Sequence, residues 1–482
     1  MAKCSFGKIS LRNTFHPKWP FGTELYIRLL YVESGSTQVL FAAVDSLCTA
    51  PSETARFRKE VAIRTGIPKS AIWYHELQVH AAPDSLDLRG EAMDRIIALV
   101  SDKTNEMISA AVPFRCEVAE LDVGSQFSMN REQYIHGLGG VTIWSGMSFD
   151  MNRRPCSNDP SVMLLRGYKP ALAAFDQPIY FDNQVDSKAY LFVFRNTDNQ
   201  IIGTLSRFAA HPDVAVLFEL KDTPHENEYH YCFVWTGYLS EKLEEIFDAP
   251  SMYINGPCAD LSTKKGWEGM DTYEASNTEC KRIGEEIALR LASGYQRKHI
   301  SAGDADNLNA TTFSFDLPVR SDFPKSREEL NAQLQKLPVL DEEIQKAIDQ
   351  GRPPYEIKTM IDNRWRCMQD SVTIDSCLIF TDDTLGCETL EVTVPVVQLG
   401  DYLFIGVPGE SLVDMSIWLR STFTGVKTIP VDQVNGYYNY MATPASLTHG
   451  GYTYWSSWVN RESIPVLKEG IVREMEKWLD QE

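Results

Sequence analysis

Paired β-type segments alternating with amphipathic helices constrain the fold of this chain more than any other feature. "TELYIRLLYVESGSTQVLFAAVD" reads as two apolar strands joined by a Gly/Ser turn, the second ending at Asp45. "AYLFVFRNTDNQIIGTLSRFAAHPD" is a hairpin around Asn-Thr-Asp-Asn, ending at Ala210 just before His211. "CETLEVTVPVVQLGDYLFIGVPGE" supplies another pair, with Glu410 at its exit. Further strands are read in "FRCEVAELDV", "SMYING" and "NATTFSFDLPV". Between them lie helical patterns. "SETARFRKEVAIRTG" has Ser52 as its N-cap and Glu53 in the first turn. "DLRGEAMDRIIALVSDKTNEMISAAV" runs on despite Gly90, and "VWTGYLSEKLEEIF" and a segment from about Thr272 to Leu291 follow. "REELNAQLQKLPVLDEEIQKAIDQ" is broken by Pro338, and a last helix starts near Glu462. Hairpins impose antiparallel neighbours, while strand–helix–strand runs allow parallel ones. The combination predicts an α/β fold of mixed β-sheets with flanking helices. The polar stretch "QRKHISAGDAD" divides it into residues 1–300 and 307–482, expected to complete one cleft together.

Bulk properties narrow the partners. A formal net charge of -20 argues against binding nucleic acid or anionic lipid through charge alone. No run approaches the length of an apolar membrane span, and "MAKCSFGKISLRNTF" has no apolar signal-peptide core. The ten cysteines contain no C-x-x-C pair, and Cys48, Cys232 and Cys258 sit in apolar surroundings as expected of buried thiols. A reduced, cytoplasmic protein is expected, without stable membrane insertion and with a small-molecule substrate as its partner. Self-association into a homo-oligomer is left open. No P-loop, G-x-G-x-x-G, H-E-x-x-H or G-x-S-x-G occurs.

Chemistry gathers where strands end. "YHELQVHAAPD" packs His75, Glu76, Gln78, His80 and Asp84 into eleven positions, as either a metal or catalytic loop or simply a polar strand exit. His211 follows "LSRFAA", Asp260 and Ser262 follow "MYINGPCA", Glu410 follows "LFIGVPG", and "NGYYNYMATP" adds a tyrosine cluster. His, Glu and Tyr are all available as zinc ligands, and strand ends hold side chains firmly while exposing them. Spacing alone does not bring these residues together.

These motifs, in this order, resemble those of the neutral ceramidase family. "QVHAAPD" resembles that family's "HTHSAPD", placing His80 at a substrate-contacting histidine and Gln78 where the family has a zinc-ligating one. "NRRP" resembles "NRSP" and marks Arg153 as substrate-contacting, and "RFAAH" resembles "NFAVH" and marks His211 as a zinc ligand. "NGPCADLST" resembles "NGxxGDVSP", giving Ser262 as the catalytic serine beside Asp260, with Ala259 and Thr263 departing from the pattern. "PGE" gives Glu410 and "NGYYNYMAT" gives Tyr440 as further zinc ligands, and "GGYTY" places Tyr452 on the family's "RYEG" tyrosine.

The resemblance implies a neutral-ceramidase-like catalytic domain and hydrolysis of an amide carbonyl. Zinc would be held by His211, Glu410, Tyr440 and Gln78, Asp260 and Ser262 would serve the nucleophile, and Arg153, His80 and Tyr452 would face the oxyanion. The expected substrate is a small soluble amide or ester. Glutamine at position 78 is a weaker zinc ligand than imidazole. The alternative is therefore a catalytically inactive ligand-binding or scaffold protein that keeps the fold and has lost the metal.

Overall fold

The computed structural model describes residues 1–135, 137–142, 184–213, 229–263 and 272–480. Two sheets organise the chain. In the larger, nine-stranded sheet the central strands Lys3–Ser10, Tyr26–Ser34, Val112–Asp122 and Lys188–Asn196 are joined antiparallel. Both of its outer pairs are parallel. Thr37–Val44 lies beside Ile72–Glu76 on one side, and Ile201–Phe208 beside Ser251–Asn255 on the other. A parallel pair needs a crossover, here supplied by the helices Pro51–Thr65 and Val234–Phe247.

The smaller sheet orders Leu308–Pro318, Thr389–Leu399, Tyr402–Gly406 and Lys427–Val431, and only its last pair is parallel. The helix Val413–Thr422 makes that crossover. Three parallel edges thus send their carboxyl ends into loops, the places where open α/β sheets usually bind ligands.

The core explains why the sheets stay together. One apolar cluster takes Leu29, Phe41 and Phe192 from the first sheet and Val397, Phe404 and Ile429 from the second. The Phe404 ring centroid lies 5.9 Å from Phe41 and 5.3 Å from Phe192. Helix Tyr273–Arg297 packs on Val234–Phe247. Gly284 permits the approach, since a Cβ there would lie 2.3 Å from the Trp235 carbonyl oxygen. Among the described residues no helix is long and apolar enough to cross a membrane.

Several boundaries differ from the sequence reading. The first helix starts at Pro51 with Ala50 as N-cap, so Ser52 lies inside the first turn instead of capping it. Proline has no N–H to leave orphaned there and its φ suits a helix start. Gly90, at φ 58°, is the N-cap of Glu91–Ala110 and not part of its interior. The break near Pro338 separates Arg327–Leu334 from Leu337–Asp349, with the proline in the first turn of the second helix. The helix starting at Tyr273 continues to Arg297, and Ile300–Ser301, within the polar stretch, pairs with Val112–Asp122.

Candidate functional site

The site is built from loops that leave these strand ends. After Glu76 the chain turns at Gln78, whose φ of 58° is left-handed. Leu77 N–H donates to Val44 O and Val79 N–H to Ser46 O, which holds the turn in place. Strand alternation therefore stops before Gln78 and His80. The Gln78 Oε1 lies 3.7 Å from Cys258 Sγ.

His211 follows the Ile201–Phe208 strand and forms a bridge with Ser262. Its Nδ1 is 3.2 Å from the Cys258 carbonyl oxygen, which accepts the proton and leaves the Nε2 lone pair facing the site. His80 lies against it, ring centroids 5.0 Å apart.

Glu410 and Tyr440 are fixed opposite one another by a two-residue parallel ribbon. The Glu410 Oε2 is 3.7 Å from His211 Nε2, and its Oε1 accepts from Tyr437 Oη at 2.6 Å. Burial raises the Glu410 pKa, opposed by the hydrogen bond from Tyr437, by the charge of Arg131 and by the nearby polar groups of Tyr440 and Gln78. Tyr452 sets its ring edge-on to Tyr440, centroids 5.1 Å apart. The structure thus brings Gln78, His80, His211, Glu410, Tyr440 and Tyr452 together.

Arg131 stands in their midst. It is 0% exposed and donates from Nη2 to Tyr440 Oη at 2.6 Å. The same nitrogen is 3.5 Å from His211 Nε2, while Nη1 is 3.9 Å from Asp213 Oδ2. Nε and Nη2 also donate to the Ala259 carbonyl, at 3.1 and 2.6 Å. Burial works against the guanidinium charge, but Tyr440, Asp213 and Glu410 outweigh it and hold the pKa above the ordinary arginine value. For His211, burial, Arg131 and His80 all push the pKa well down, so the ring is neutral.

Ser262 and Asp260 face protein partners. Ser262 is 0% exposed and donates from Oγ to Asp213 Oδ2 at 3.2 Å. Asp260 accepts from Val413 N–H at 2.8 Å, at the start of the Val413–Thr422 helix, and from Asn130 Nδ2 at 2.9 Å. A carboxylate suits the positive end of a helix. Burial raises its pKa to about 7. A cleft of 320 Å³ opens beside Asp260, with Glu132, Gln133, Ser446 and His449 among its walls.

Arg153 lies outside the described residues. Sequence reasoning missed Arg131, Asp213 and Tyr437. One signal was present: Asn-Arg occurs at 130–131 as well as at 152–153, and the proline after the second copy drew the match.

Among the described residues no group of three or more His, Cys, Asp or Glu side chains is placed to hold a metal ion. His211, Glu410 and Tyr440 converge, yet a guanidinium stands among them. A dication would meet that buried cation, at a cost of about 4 kcal/mol per pair of unit charges ~4 Å apart at an effective dielectric of ~20. The residues present do not fit zinc.

No protein-family model matches the chain, and no curated protein matches it in sequence. Solved structures do. Neutral ceramidase from Pseudomonas aeruginosa superposes with a TM-score of 0.63 at 11% identity, over 98% of this chain and 75% of that one. A ceramidase complexed with C2 gives 0.62 at 11% identity, with the same coverage. The chain therefore has the neutral-ceramidase-like α/β fold that its motifs led us to expect.

Proposed function

We propose that this protein uses the ceramidase-like hydrolase fold to bind a small molecule, without zinc-dependent hydrolysis. One observation carries the reading: three of the side chains that would serve a metal and a nucleophile, Glu410, Tyr440 and Ser262, are engaged with the protein itself. Tyr437 donates to Glu410, Tyr440 accepts from Arg131, and Ser262 is sealed against Asp213. The 320 Å³ cleft, with Asn130, Glu132 and Asp260 in its wall, suits a small polar ligand rich in N–H or O–H donors. A net charge of -20 favours a cationic one. A cytoplasmic setting belongs to this proposal, since the nine described cysteines are free thiols.

The rival is a zinc-dependent hydrolase of a small soluble amide or ester, favoured by the fold and by the clustering of His211, Glu410 and Tyr440. Full-length protein purified after growth in zinc-replete medium separates the two. We expect no stoichiometric zinc, no chelator-sensitive turnover of N-acyl amides or esters, and a rise in Tm with small organic amines. One zinc per chain with chelator-sensitive hydrolysis would establish the rival.

A further inference from the structure

We infer that Arg131 is the resident cation of this site: its guanidinium takes the electrostatic place of a metal ion and keeps one out. The inference rests on the metal-free reading above and says what stands in the metal's stead.

The chemistry of the surrounding atoms is the first argument. Tyrosine oxygen, carboxylate oxygen and the free nitrogen of a neutral imidazole all offer lone pairs. A metal satisfies such a set by coordination. A guanidinium satisfies it with a planar fork of N–H groups and a charge that does not titrate away. Here the fork reaches Tyr440 Oη at 2.6 Å, lies 3.5 Å from His211 Nε2 and approaches Asp213 at 3.9 Å. Glu410, held opposite Tyr440 in the two-residue ribbon, has its Oε2 3.7 Å from His211 Nε2.

Anchorage is the second. Arg131 follows the Ser128–Asn130 ribbon, which pairs with Leu261–Thr263, and its own N–H donates to Asp260 O at 2.7 Å. The Ala259 carbonyl receives both Nε and Nη2, which fixes the plane of the guanidinium. A side chain tied at backbone, stem and tip is built into the site and does not swing through it.

Gln78 gives the third. A metal site loses an imidazole at that position, whereas a guanidinium-centred site has no need of it. The carboxamide there accepts from Cys258 Sγ through its Oε1, at 3.7 Å. With a permanent cation in the centre, position 78 needs no metal-ligating side chain.

Four full-length proteins test this: wild type, Q78H, R131M and the R131M/Q78H double variant, each titrated with zinc against a competing chromophoric chelator. We expect wild type and Q78H to show no tight site. The double variant should bind one zinc at least a hundredfold more tightly than Q78H, and zinc should raise its Tm. If Q78H alone matches the double variant, Arg131 does not exclude the metal and the inference falls. It falls equally if the double variant folds, by circular dichroism, and binds none. Stoichiometric zinc in the wild type would overturn the metal-free reading itself, a separate outcome. Should the double variant not fold, R131A with methylguanidinium decides: a Tm increase in R131A but not in wild type supports the cation's place, and no increase rejects it.

Discussion

Among the described residues two arginines, Arg131 and Arg207, are 0% exposed, and the difference between them separates a structural clamp from a site. Arg207 Nη1 meets Asp186 Oδ2 at 2.5 Å and Lys188 O at 3.1 Å, Nε meets Pro430 O at 3.1 Å and Nη2 meets Ser416 Oγ at 3.1 Å. Asp186 is held from its other side by both Nη atoms of Arg420, at 2.9 and 2.8 Å. The strand Ile201–Phe208 is thereby tied to the second sheet and its crossover helix. Gly256 leaves room for the clamp, because a Cβ there would lie 1.9 Å from Arg207 Nη2. At Arg207 the acceptors are backbone carbonyls, a hydroxyl and a doubly held carboxylate. At Arg131 they include a tyrosine, and a neutral histidine stands close by. Burial is equal, so partner chemistry, not burial, marks the site.

The largest expected effect comes from breaking the clamp. R207M strands Asp186 beside a single arginine in the interior, and removing one member of a buried ion pair costs ~3–5 kcal/mol. Asp186 cannot easily escape by taking a proton. Burial raises its pKa, but Arg207 and Arg420 outweigh this and hold it well below the usual carboxylate range. A carboxylate with a depressed folded pKa stabilises the fold above its unfolded pKa of ~4, and this contribution is lost as pH falls below it. Urea melts should therefore show wild type losing stability on acidification, and R207M, already weakened at pH 7, losing less. Parallel pH curves for the two proteins would contradict the assignment.

R131M should cost less, about 2–3 kcal/mol, since the stranded groups have ways to relax. Glu410 has a raised pKa and can hold a proton, and it keeps Tyr437 as a donor. Such a loss leaves a folded domain of ordinary stability, typically ~5–15 kcal/mol. A larger loss for R131M than for R207M, by chemical denaturation at pH 7, would invert the comparison and make Arg131 the more structural of the pair.

The contrast also explains what the sequence could reveal. Positions at strand exits were legible because apolar runs end visibly, and six residues from "QVHAAPD", "RFAAH", "PGE", "NGYYNYMAT" and "GGYTY" do meet. Orientation was not legible. Asp260 turns to Val413 N–H, a donor 153 positions further along the chain, and Ser262 turns to Asp213, which lies two residues after His211 in a stretch with no pattern of its own. Arg131 enters on a three-residue ribbon too short for any periodicity. Ser52 was displaced as cap by the proline before it, a choice between two local signals of similar strength.

The smallest effect tests the backbone beneath the site. Gln78 has a left-handed φ of 58°, a conformation that costs a residue with a Cβ ~1–2 kcal/mol and glycine almost nothing. Replacing it removes the weak hydrogen bond that its Oε1 accepts from Cys258 Sγ, in either of two variants. Q78A keeps the strain and loses the bond. Q78G loses the same bond and sheds the strain, but pays ~0.5–1 kcal/mol for greater freedom when unfolded. The two glycine terms nearly cancel, with strain relief slightly larger, so Q78G should be more stable than Q78A by a few tenths to ~1 kcal/mol, the reverse of their order in ordinary secondary structure. Paired urea melts at pH 7 resolve a difference of this size. Alanine equal to or better than glycine would mean that the turn after Glu76 is not held left-handed, and that position 78 is free to present its side chain on the strand's own alternation.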